Sequence, residues 1–193
     1  MIKKILIGLV SYSLLGAAVC VAQSSLEKKS NQTTENLIKV KRWTCPTCTE
    51  SEQIVLQKLQ ERTKISDRNS LSTIMGNIKQ ESDFKSNICE GGARVNYDQC
   101  HRGGYGLIQW TTIGRYNNLG KFCKNYGCDP SSLEGQTRYM INENIFQTQL
   151  PYFEGSGQTV SYYMNAAYSW LGWGIHGNRT NYSYDYVHKL VYE

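Results

Sequence analysis

The sequence predicts a mainly α domain of α+β type, a helical body carrying one small β-hairpin or loop excursion. Three observations predict it. Apolar residues recur at helical spacing in several windows, most clearly at Leu71, Ile74, Met75 and Ile78, which fall at i, i+3, i+4 and i+7 on one face. One polar stretch, from Ile88 to Gly104, breaks that pattern between the glycine pairs Gly91-Gly92 and Gly103-Gly104. Six of the seven cysteines lie beyond Cys20 in closely spaced pairs, the signature of a stapled exported domain.

The elements follow in order. Residues 1–22 read as a secretory signal: Lys3-Lys4, then the apolar run Ile5 to Val21, then small residues that place cleavage after Ala22. An uncleaved membrane anchor is the alternative, and bulky Val19 argues against lipidation of Cys20. Residues 23–45, rich in Ser, Asn, Gln, Thr, Lys and Glu, read as a flexible linker. Residues 46–193 then form one domain, long enough for a real core. Ile54, Val55, Leu56 and Leu59 predict a helix over 50–65. A second begins at Asn69 or Ser70 and runs to Ser82. After the excursion come the short apolar segment Tyr105 to Trp110 and helices over 113–125, 131–147, 158–171 and 180–190. Pro130 opens the second of these, and Gly155 to Gly157 and Gly172 to Gly177 mark the later breaks. Tyr182, Tyr186, Val187 and Leu190 form a packing stripe on the last.

The chain carries 21 Lys and Arg against 16 Asp and Glu, a formal charge of +5. The leader holds two of those lysines and no acid, so the remainder stays basic. That suits an anionic polymer such as a cell wall, and no nucleic-acid partner is expected. Spacing suggests the disulfides Cys45–Cys48, Cys89–Cys100 and Cys123–Cys128, although six cysteines allow fifteen connectivities. Trp43-Thr44-Cys45-Pro46-Thr47-Cys48 also looks like a thiol–disulfide exchange site, but no strand–helix–strand pattern surrounds it. His101, His176 and His188 are scattered without ligand spacing, so no metal site is expected.

The chemistry concentrates in the stretch IMGNIKQESDF, residues 74–84. Glu81 lies three residues beyond Ile78 on the same apolar face. Burial penalises its charged form, and the negative end of the helix dipole acts in the same direction. Both favour a neutral carboxyl that can protonate a leaving oxygen, as glycoside cleavage requires.

Three blocks extend this reading: Glu81-Ser82, then Gly106-Leu107-Ile108-Gln109-Trp110, then Asn165-Ala166-Ala167-Tyr168. In this order they resemble the lysozyme-like superfamily that cleaves peptidoglycan, and GNIKQESDF with YGLIQW is most similar to the phage-tail-type lysozyme family. The resemblance implies a lysozyme-like catalytic domain with its excursion beside an active-site cleft. It makes Glu81 the general acid and Ser82 the residue that holds it. Gly106, Gln109 and Trp110 then line the glycan cleft, and Tyr168 with Asn165 lies behind the acid. Each also has a plain structural role: Ser82 as a polar helix end, Gly106 as a turn residue, Trp110 as core, Tyr168 as a buried hydroxyl seeking a partner.

A second carboxylate is sought among Asp83, Glu90 and Asp98. Asp98 is the candidate because it lies inside the Cys89–Cys100 excursion. Without one, a lytic transglycosylase giving 1,6-anhydro products becomes the alternative to a muramidase cleaving MurNAc-β-1,4-GlcNAc. A non-catalytic peptidoglycan-binding protein of the same fold is the alternative from another class. The expected partner is the peptidoglycan glycan strand, met outside the cytoplasm by a monomer without cofactor.

Overall fold

The computed structural model describes residues 41–101 and 103–193. The signal segment and most of the linker expected over 23–45 lie outside them. Seven α-helices are present among the described residues: α1 (Glu50–Arg62), α2 (Arg68–Ser82), α3 (Ile113–Tyr126), α4 (Leu133–Asn142), α5 (Asn144–Phe153), α6 (Val160–Leu171) and α7 (Arg179–Lys189). A two-stranded antiparallel sheet pairs β1 (Trp43–Thr44) with β2 (Val191–Tyr192). The fold is therefore mainly α, as the sequence predicts, and it carries this small sheet.

Capping chemistry sets the helix starts. Thr49 and Glu52 form a reciprocal capping box at α1. The Asp67 carboxylate accepts from Ser70 N at 3.1 Å and starts α2, two residues before the expected cap. Thr112, Ser132 and Thr159 do the same for α3, α4 and α6.

Helix α2 is the central element. Every residue from Ser70 to Ile78 is buried, so the apolar stripe read from sequence is only part of a helix enclosed on all sides. Helix α7 packs against it most extensively, with α6 and α1 on other faces. Gly76 makes this possible: a Cβ there would lie 2.4 Å from Ser183 N. Tyr186 on α7 donates its hydroxyl to the buried Glu52 of α1, which ties the outer helices together across α2.

Two expectations are corrected. The single helix over 131–147 is two helices, α4 and α5, divided at Glu143, whose extended backbone (ψ 131°) caps both. Its side chain is buried and forks onto Arg115, with both oxygens 2.7 Å from guanidinium nitrogens, and this anchor turns the chain. Of the hairpin and ordered-loop readings of the region from Ile88 to Gly104, its described residues fit the loop, with two isolated bridges and a 3-10 turn at Tyr97–Gln99. Trp43 and Thr44, expected in the linker, are instead paired in β1, because the indole of Trp43 packs on Tyr192 and donates to Ser66 O.

All three cysteine pairs are disulfides in the arrangement that spacing suggests. Cys89–Cys100 closes the excursion. Tyr97 stacks on Tyr116 of α3 at 4.3 Å, with Tyr105 edge-on to both, and fixes the loop against the helical body.

Candidate active site

Glu81 occupies the last turn of α2, and its side chain is 15% exposed. The enclosure of α2 carries that carboxyl out of water, which raises its pKa above the usual 4.5. Arg179, at the start of α7, opposes this. Its guanidinium donates to Glu81 Oε1 at 2.6 Å and pulls the pKa back without cancelling the rise; Arg115 adds a smaller pull of the same sign. The other carboxylate oxygen, Oε2, has no partner among the described residues.

Arg179 is itself almost fully buried. Its remaining Nη reaches Asn77 O at 3.4 Å, and the plane lies over the Trp173 ring, 4.5 Å from the centroid. Trp173 in turn meets the edge of Tyr168 at 5.1 Å. Tyr168 thus reaches the acid through two intervening side chains, Trp173 and Arg179, and it remains 55% exposed. Gln80 anchors the intervening loop by accepting from Asn178 N at 2.8 Å.

Ser82 is buried and donates to Leu107 O at 2.7 Å. It joins the end of α2 to the Gly106–Gln109 turn and makes no bond to the Glu81 carboxyl. Gly106 sits at φ 71°, and any Cβ would collide with Gln136 at 2.4 Å. Gln136, wholly buried on α4, clamps the turn. Its oxygen accepts from Leu107 N at 2.7 Å while its nitrogen donates to Ser86 O and Pro130 O, both at 2.7 Å. Gln109 folds its amide back onto Gly106 O at 3.0 Å and Ile88 O at 3.4 Å.

Backbone strain gathers here too. Among the described residues, the non-glycine residues at positive φ are Asp83, Phe84 and Gln109. All three belong to the two segments that Ser82 fastens together, and such conformations persist only where the surroundings over-determine them.

The other candidates fall elsewhere. Trp110 is fully buried, tilted against Tyr139 and pointing its indole nitrogen at Glu143, so it is core and offers no face to a sugar. Asn165 is exposed on α6, in a groove facing α5. Asp98 is exposed in the 3-10 turn, and its charge acts on Tyr105 and Tyr116; the charges acting on Glu81 are those of Arg179 and Arg115. Asp83 is engaged by Lys79 and Lys85, and Glu90 by Gly104 N.

Sequence reasoning missed Arg179, Trp173 and Gln136. Arg179 lies 98 positions from Glu81, Trp173 reads as part of a glycine-rich break, and Gln136 falls mid-helix in a polar run. Only Trp173 carried a signal, as a large ring in a loop between two helices.

No curated protein and no solved structure matches the chain. A family model does, described as phage tail lysozyme, over residues 51–172, a span that holds Glu81, Ser82, the Gly106 turn and Tyr168. The chain belongs to the phage tail lysozyme family.

Proposed function

We propose that the protein is a peptidoglycan muramidase that cleaves the MurNAc-β-1,4-GlcNAc bond with Glu81 as general acid. Family membership implies glycoside-hydrolase activity in general; the specific bond and the role of Glu81 are our reading. The observation that carries it is the split environment of one carboxyl. Burial favours the neutral form that holds a proton, while Arg179 is already in place for the anion that proton transfer leaves behind. Oε2, without a partner among the described residues, holds the proton and gives it to the glycosidic oxygen as the C–O bond breaks. The anion on Glu81 is then stabilised by the Arg179 guanidinium. The same carboxylate takes a proton from an incoming water, which completes hydrolysis and restores the acid.

A second reading has its own support. Asp83 and Glu90 are occupied by other partners, and Asp98 is exposed with its charge acting on tyrosines. A lytic transglycosylase needs no second carboxylate: Glu81 deprotonates the substrate's own 6-hydroxyl in place of water. Mass spectrometry of muropeptides released from purified sacculi separates the two. The muramidase reading expects reducing MurNAc ends. Predominant 1,6-anhydro ends would replace it with the transglycosylase, and no cleaved glycan at all would overturn both.

A further inference from the structure

Helices α5 and α6 run side by side and leave an open cavity of about 360 Å³ between their outer faces. The steps at Glu81 make no use of it. Tyr152 from α5 and Tyr162 from α6 line it and remain 53% and 41% exposed. Gln149 and Asn165 line it as well, and neither side-chain amide has a partner among the described residues. The hydroxyls of Thr148 and Ser169 spend their protons on the carbonyls of Asn144 and Asn165, so they face the groove as acceptors. No charged side chain is among its lining residues.

This combination selects a class of ligand. Exposed phenol rings present flat apolar faces with a polar tip, which suits the C–H face of a pyranose bearing peripheral hydroxyls. A free carboxamide offers both a donor and an acceptor, matching an acetamido group. The absence of a cation disfavours anionic ligands, since a carboxylate or phosphate would lose hydration here without a counter-charge. Those constraints exclude the lactyl and stem-peptide carboxylates of wall muropeptides and the phosphates of wall polyols. They leave a neutral N-acetylhexosamine.

We infer that the α5–α6 groove is a second glycan-binding site, holding neutral N-acetylglucosamine units of the polymer that Glu81 cleaves. Asn165 acts there, apart from the Glu81 carboxyl. The inference rests on the muramidase reading for the polymer the groove meets. The sugar adds to the overall hold on an insoluble strand, so its loss weakens binding without touching the chemical step.

The test uses the full chain carrying Glu81→Gln and the N-acetylglucosamine tetramer as probe, followed by amide NMR titration. Two sets of shifted resonances are expected, one around Glu81 and one within residues 148–169. Adding Tyr152→Ala and Asn165→Ala should weaken the second set roughly tenfold, the scale of a lost stacking contact. The same pair of substitutions in an otherwise wild-type chain should raise KM on sacculi and leave kcat unchanged. Shifts confined to the surroundings of Glu81 would overturn the groove assignment, as would groove shifts that survive both substitutions or that an apolar peptide reproduces. Failure is separable from that of the muramidase reading. Sacculi cleaved normally, with no groove shifts, count against the groove alone. Groove shifts with sacculi left intact count against muramidase activity alone.

Discussion

Glu81 is held between two opposed influences, and both can be moved. Removing the Arg179 charge leaves burial unopposed, so the carboxyl pKa should rise further. On the proposed mechanism, activity needs the protonated carboxyl and falls as pH rises through that pKa. Arg179→Met should therefore carry the alkaline limb of the kcat/KM profile to higher pH, while Arg179→Lys keeps the limb near its wild-type position. A profile that does not move, or moves to lower pH, would show that Arg179 does not act on the acid. Stability carries the same sign. A carboxyl whose folded pKa lies above its unfolded value of 4.5 contributes stability below 4.5 that is lost as pH rises through the folded pKa. Glu81→Gln lacks this loss, so thermal melts at pH 4 and pH 7 should show the variant gaining on wild type at the higher pH. At this scale the burial of the Glu81 carboxyl was legible, because a carboxylate on an apolar helix face is a local pattern. Its arginine was not, because the pairing of residues 81 and 179 is made only when α2 and α7 dock.

The end of α2 and the Gly106 turn behave as one element. Ser82 ties them directly, and Gln136 clamps the turn to the segments on either side. Gln136→Leu removes three bonds and leaves the amide of Leu107 and two carbonyls without their partner. The expected cost is about 2–4 kcal/mol, read as a lower denaturation midpoint, since each abandoned buried group costs about 1–3 kcal/mol. A midpoint within experimental error of wild type would remove Gln136 from the clamp. Tyr186→Phe tests the helix layer in the same way. Glu52 would lose a donor that holds its pKa down against burial, and with it stability that is present above pH 4.5 and disappears as pH falls through the depressed pKa. The variant should melt lower at neutral pH, and the gap should narrow on acidification. Helix starts were legible to within a few residues because caps are local. The division at Glu143 was not, since it depends on a bidentate contact with Arg115, 28 residues away. Trp110 lay between a core reading and a cleft reading in sequence; its indole turning towards Glu143 decides for the core.

Over the whole molecule, a helical body is closed at its ends by the β1–β2 pair and stapled by three disulfides. The disulfides suit an oxidising compartment. Cys89–Cys100 spans eleven residues, against three and five for the others, so it constrains the unfolded chain most. Replacing both of its cysteines with serine should cost about 3 kcal/mol, more than either of the other pairs. Equal losses across the three pairs would assign the effect to packing. The pairing was legible from spacing, while the sheet was not, because two strands of two residues at opposite ends of a domain carry no periodic signal.

The catalytic account comes down to whether the Glu81 proton is what breaks the wall. Glu81→Gln keeps the shape of the side chain and an acceptor for Arg179, so it should melt as wild type does or higher at pH 7. Its clearing of purified sacculi should fall by about 10²–10⁴-fold, the usual worth of a general acid. A folded Glu81→Gln protein that clears sacculi at the wild-type rate would contradict the account.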